Sequence, residues 1–255
     1  TQNVSEWCDK NDMALSLPKS CSMLVGNRQK LCQSSNFKIR VDDIEIPCLT
    51  TTKILGVHFD NALSWNVHIK NVHTKIVKNL YLLQQIKHYL PLEARKLFYN
   101  SYVLPHFDYC CLVWGNCSQC LMFDLEKLQK RAARIILDKD YYDYTIRSRD
   151  LFSELKWMPI KDRITFQRAV QVYKCLNGMS NQGLENMFVY SHSLHSHNTR
   201  AAKEQHVYLD YHHPKSFSSQ GTSVWNNISA KIKTAKTLAT FKTRYLDHYF
   251  SEQST

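Results

Sequence analysis

The stretch from Trp65 to Leu90 constrains the fold of this chain more than any other. Ile69, Val72, Ile76, Leu80 and Leu83 recur at helical spacing, so one side of a single long helix is apolar and must be covered. Lys70, Lys75, Lys78 and Lys87 fall off that stripe. Pro91 ends the run, and Leu92-Glu93 open a second helix carried through Ala94, Leu97, Phe98, Ser101 and Tyr102 to Pro105. Tyr109 to Gly115 reads as a buried apolar element closed by glycine. Leu121, Leu125, Leu128, Ala132 and Ile135 mark another amphipathic helix, from about Leu121 to Leu137. Asp150 caps a short helix through Leu155, and a further helix runs from Pro159 to Leu176. Phe166, Ala169, Val170, Tyr173 and Leu176 form its core face, with proline in the first turn and Asn177-Gly178 at the end.

Strand signals gather ahead of these helices. Val4, Trp7 and Cys8 suggest a short first helix, broken at Asn11-Asp12. Met13, Leu15 and Leu17 then alternate as in a strand, Lys19-Ser20 turn, and Met23-Leu24-Val25 read as the next strand. Residues 37–48 place alternating apolar residues on either side of Asp42-Asp43, the pattern of a β-hairpin. Ile54, Leu55, Val57 and Phe59 make an apolar strand in which Gly56 allows close backbone approach. Asp60-Asn61 supply turn chemistry, and Ser64 can cap the helix that Trp65 opens. The expected fold is therefore α+β, mostly α. Three regions are expected: a small β part over 1–62, a helical domain over 63–178, and a His-rich connection with a C-terminal helical extension over 179–255.

Composition narrows the function. The chain carries 33 Lys and Arg against 22 Asp and Glu, a net charge of +11, which suits a polyanion and most commonly nucleic acid. Its nine Cys follow no disulfide-framework spacing, so they read as reduced thiols of an intracellular protein, in nucleus or cytoplasm. The least polar run, Tyr109 to Phe123, is interrupted by Gly115, Asn116, Ser118 and Gln119 and is too short to span a bilayer, so no membrane partner is expected. No phosphate-cradling glycine loop, nucleophile elbow or His-Glu-x-x-His motif occurs. The chain opens at Thr1 and already reads there as mid-domain sequence, as a fragment would.

Six ordered blocks of the chain resemble the reverse transcriptases of non-LTR (LINE-type, jockey-like) retrotransposons. They are Trp7 through Met23; Leu55-Gly56-Val57 with Leu63-Ser64-Trp65 and His68-Ile69; and Leu104-Pro105 through Trp114-Gly115. Next come Gln129-Lys130-Arg131-Ala132; Trp157-Met158-Pro159-Ile160 through Gly178; and Arg200, Phe217, Gly221 and Trp225-Asn226 through Phe241-Lys242. Ser16 and Ser20 replace the family's Asn and Thr in the first block, and Ile228-Ser229 replaces its Leu-Pro in the last. The resemblance implies the C-terminal part of an RNA-directed DNA polymerase: the end of its palm, a thumb-like helical domain and a C-terminal extension. By the same resemblance Lys19 is the lysine of motif D, an auxiliary to catalysis, and Leu55 and Gly56 border the primer strand. The parent enzyme is expected to use Mg²⁺, with an RNA template, a DNA primer and the rest of the palm and fingers as partners. The family's metal-binding Asp pair precedes motif D, whereas Asp42-Asp43 follows it. That pair is read as a turn, no metal is expected in this chain, and no polymerase activity is expected of it alone.

Lys127, Lys130, Arg131 and Arg134 fall at i, i+3, i+4 and i+7 beside the apolar stripe of their helix. Four cations on one face can track a phosphate backbone. The competing reading of such a run is a solvated surface, in an inert or structural product of a decayed element. Cys117-Ser118-Gln119-Cys120 is a single CxxC, and with His106 and Cys110-Cys111 nearby it leaves a zinc-stabilised interaction module as a further alternative. His192, His195 and His197 lie in a polar stretch without acidic companions and read as solvated.

Overall fold

The computed structural model describes residues 2–33, 38–41, 44–140, 143, 145–193, 205–208 and 214–253. Its backbone divides into two compact units: Thr1–Lys75 with Cys117–Leu121, and Ile76–Asn116 with Met122–Thr255.

The first unit holds α1 (Gln2–Lys10), α2 (Arg28–Gln33) and two hairpins, β1 (Ile39–Val41) with β2 (Ile44–Ile46) and β3 (Thr51–Ile54) with β4 (Val57–Asp60). In the first hairpin Val41 faces Ile44 and Ile39 faces Ile46, the register the alternation predicts, and Val41 and Ile46 are buried. Asp42 and Asp43 lie outside the described residues.

Three strand readings are corrected. Met13 to Leu17 and Met23 to Val25 are not strands. Pro18, which fixes its own φ and has no N–H to give a ladder, lies in a 3₁₀ turn over Leu17–Lys19, and Met13, Leu15 and Val25 are exposed. Only Ser22 makes a bridge there, to Cys48, with its amide on the Pro47 carbonyl at 2.9 Å. The third correction concerns Ile54 to Phe59, which is not one strand but a hairpin tip. Ile54 pairs with Val57, while Leu55 and Gly56 adopt φ of +46° and +86°. Positive φ at both central residues defines the mirror-image turn that matches strand twist. The partner strand, Thr51 to Lys53, is not apolar, so hydrophobicity does not reveal it; its β-branched threonines favour it.

The long helix predicted from Trp65 forms as α3 (Asn66–Ile86), followed by a 3₁₀ turn over Lys87–Tyr89. All five residues of its stripe are buried. In the second unit α4 (Leu92–Phe98) passes through a π turn at Tyr99–Val103 into α5 (Leu104–Asp108). Pro105, which has no N–H for an i−4 carbonyl, accounts for the local change of register. The Tyr102 carbonyl in this turn accepts a bond from Asn79 Nδ2 at 2.5 Å.

Beyond α6 (Cys111–Trp114) come α7 (Gln119–Ile136), α8 (Ser148–Leu155) and α9 (Ile160–Leu176); α8 starts at Ser148, so Asp150 lies in its first turn and does not cap it. The predicted core faces of α7 and α9 are buried except at their end residues Leu121 and Leu176, which are half-buried. After α10 (Gln182–Glu185), α11 (Phe217–Asn227), α12 (Ala230–Lys233) and α13 (Leu238–Gln253) close around α9. Tyr173, Phe241 and Trp225 stack in series at 4.5 and 6.0 Å, and the Tyr173 hydroxyl donates to the Ala235 carbonyl.

Part of the expected polar connection after Gly178 is folded. Phe188 and Val207 are core residues, and the Asn226 side chain bonds both the amide and the carbonyl of Val207. His195 and His197 lie outside the described residues. The fold is mostly α with two small sheets, as the sequence implies. No helix among the described residues is long and apolar enough to cross a membrane.

Candidate nucleic-acid interface

The α7 helix buries Met122, Leu125, Leu128, Ala132, Ala133, Ile135 and Ile136 on one side, and its cations project from the other. Lys127 is exposed, with its ammonium 3.1 Å from Asp124 and 4.5 Å from the Phe123 ring centre. Lys130 lies 5.7 Å from the same ring, which is itself 50% exposed. The face is thus a half-open aromatic ring flanked by two ammonium groups; Arg131, one turn beyond Lys127, is half-buried. A surface ion pair such as Lys127–Asp124 is worth less than about 1 kcal/mol, so it yields readily to a phosphate.

Arg134 shares the sequence spacing but has a different task. Its two terminal nitrogens donate to the carbonyls of Asp140 (2.7 Å) and Ile146 (3.0 Å), tying down the loop between α7 and α8.

Gln129, inside the same block, is 98% buried. Its amide nitrogen donates to the Met158 carbonyl at 3.0 Å, and its amide oxygen accepts from the Ile160 amide at 2.9 Å. Ile160 is the first residue of α9, and Pro159 before it has no side-chain oxygen to cap the helix. Gln129 therefore caps α9 from α7, satisfying one of the amides a helix start leaves open.

The hairpin of Leu55 and Gly56 belongs to the other unit. Leu55 is 85% exposed at its tip, an apolar side chain held in a left-handed conformation that non-glycine residues avoid. The chain then enters α3 through a turn organised by Asp60. Its Oδ1 accepts from the amides of Ala62 and Ser64, and its Oδ2 from the Ser64 hydroxyl and the Trp65 amide, at 2.9 to 3.2 Å. Ser64 Oγ does receive a bond from Asn66 Nδ2 at 2.8 Å, but its contact with the Asn66 amide is long, 3.4 Å. The principal anchor of the helix entry is thus Asp60. The bonds support Leu63 and Trp65, both at positive φ, and seat the Trp65 ring edge-on to Phe59.

Burial works against the Asp60 charge, but the hydrogen bonds from Ser64, Trp65 and Ala62 outweigh it and hold the carboxyl below the ordinary aspartate value of 3.8. A depressed folded pKa gives stability that is complete above the unfolded value and is lost as pH falls through the folded one. The Trp65 amide resonance is therefore expected to stay unchanged down to about pH 4 and to titrate below it. In Asp60→Asn that step is absent; titration of the wild-type amide above the ordinary aspartate value would contradict this arrangement.

Lys19 is exposed at the end of the 3₁₀ turn, with its amide on the Ser16 carbonyl at 3.1 Å. Cys117 is half-buried and its thiol is pushed up to about 11 by burial, while Cys120 is exposed. Among the described residues no three His, Cys, Asp or Glu side chains gather into a group that could hold a metal ion. Asp108, by contrast, is structural: both its oxygens accept from Arg163, each at 2.6 Å.

Sequence reasoning missed the roles of Gln129 and Asp60. A signal exists for the first, since Gln129 sits on the apolar stripe one turn from Leu125.

The sequence places the chain beside one class of protein: it is similar to RNA-directed DNA polymerases of non-LTR transposons. It is 22% identical over 164 residues to the probable RNA-directed DNA polymerase from transposon X-element of Drosophila melanogaster. It is also 24% identical over 130 residues to the probable RNA-directed DNA polymerase from transposon BS of the same organism. The matched segments cover 63% and 50% of this chain but only 17% and 14% of those relatives. No family model and no solved structure matches the chain.

Proposed function

We propose that this chain is a nucleic-acid-binding, non-catalytic part of a LINE-type reverse transcriptase, and that the α7 face contacts the phosphate backbone. The observation that carries this reading is the pair of ammonium groups, Lys127 and Lys130, set over the exposed Phe123 ring, with the half-buried Arg131 following on the same helix. Cations with an open aromatic between them bind a strand through phosphate attraction and base stacking together. Arg134 stabilises the platform by holding the loop behind it. The exposed Leu55-Gly56 tip is the segment we assign to the primer strand, and Lys19 remains an auxiliary contact in the assembled enzyme.

Nucleotidyl transfer needs metal ions to activate the primer hydroxyl and neutralise the leaving group. The one adjacent Asp pair of the sequence, Asp42-Asp43, follows the motif D-like block. We therefore expect no primer extension above background by the isolated chain with Mg²⁺ present; sustained incorporation would overturn the non-catalytic reading.

Binding is tested by filter retention of a single-stranded RNA across salt. Combined Lys127→Glu, Lys130→Glu and Arg131→Glu substitution removes three phosphate contacts, so the slope of log K against log salt falls by about 2. An unchanged slope would mean that α7 is a solvated face of a structural helix.

A further inference from the structure

Beside α7 the helical unit encloses a cavity of about 670 Å³, within the range of ligand sites. We infer that it receives a base of a single-stranded nucleic acid whose phosphates lie on the α7 cations. This deepens the function proposed above and rests on it.

The walls are aromatic. Trp157 and Phe250 line the cavity, both partly exposed, with Phe152 buried behind them. One face of Trp157 is stacked on Tyr99, 3.9 Å between ring centres and 21° between planes, and Tyr99 is itself buried. The indole is thereby fixed before anything binds, which lowers the ordering cost of stacking a second ring on it.

The charged lining has an excess of cations: Lys130, Arg149 and Lys156 against the carboxylates of Glu126 and Asp162. Asp162 already accepts the Tyr249 hydroxyl at 2.6 Å, and the Arg149 guanidinium is held at the mouth by the Gln253 carbonyl at 2.8 Å.

Lys130 joins the two sites, since it lies over Phe123 on the α7 face and also lines the cavity. A strand lying on α7 therefore passes the mouth. An indole fixed on Tyr99, a second ring at Phe250 and an excess of cations in the lining match a base carried with its phosphate. A duplex, whose bases stay stacked on one another, offers no base to this cavity.

The test is fluorescence anisotropy with the full chain and short labelled oligonucleotides, single-stranded RNA and DNA against the same sequences as duplex, with an abasic nucleotide moved along the strand. Both single strands are expected to bind about tenfold tighter than duplex, and an abasic nucleotide at one position to cost about tenfold. Because that change is in the ligand, it cannot act by unfolding the protein. Arg149→Glu, at an exposed residue, and Phe250→Ala are each expected to weaken single-strand binding, and the abasic penalty to vanish in Phe250→Ala. Equal binding of single strand and duplex, with no sensitive position, overturns the cavity assignment while leaving the α7 contact standing. Failure to bind any oligonucleotide overturns both.

Discussion

Replacing Gln129 with alanine is expected to lower the stability of the helical unit by about 3 kcal/mol, read as a shift of the urea midpoint. The residue joins α7 to the start of α9 by two hydrogen bonds, to the Met158 carbonyl and from the Ile160 amide, in surroundings that exclude water. Truncation leaves both backbone groups buried and unpaired, at a cost of about 1–3 kcal/mol each. Gln129→Met restores the volume but not the bonds, so most of the loss persists. A loss under about 1 kcal/mol in both variants would show that the clamp does not hold α9.

Gly115→Ala is expected to cost about 2–3 kcal/mol for a different reason. The φ of Gly115 is an ordinary −69°, so no backbone preference is involved. A methyl group there would lie 2.3 Å from the Cys111 carbonyl oxygen and 2.8 Å from Ile164 Cγ2. The carbonyl belongs to α6 and already accepts the Gly115 amide at 2.8 Å, so it cannot withdraw without breaking that bond. Differential scanning calorimetry would show the loss as a lower melting temperature; an unchanged transition would mean that α6 and α9 are not packed this closely.

These residues also show where sequence reading stops. The core faces of α3, α7 and α9 are legible because burial repeats with the helix period. Periodicity names the face to be covered and not what covers it. Nothing in the pattern of α9 announces that Gly221 brings α11 against Val172, with 2.9 Å left for a Cβ. The Leu55-Gly56 turn was hidden because its tip residue is apolar and continues an apolar run. Only the glycine hinted at positive φ, and the half-buried threonines of the strand that completes the hairpin carry no hydrophobic signal.

At the candidate interface, spacing placed four cations on one helix face but could not see the loop carbonyls that engage Arg134. It also could not set Phe123 between the ammonium groups, because exposure of an aromatic is decided by what packs nearby.

The claim that the α7 face holds nucleic acid, rather than net charge alone, is tested most directly by two variants of equal charge. One carries glutamate at Lys127, Lys130 and Arg131; the other carries glutamate at Lys70, Lys75 and Lys78, which are exposed on α3. Binding of single-stranded RNA is measured for both across salt. The account predicts that the first variant loses about 2 from the slope of log K against log salt, while the second keeps a slope close to that of the unmodified chain. Equal loss in both would contradict it, leaving a basic surface with no defined site.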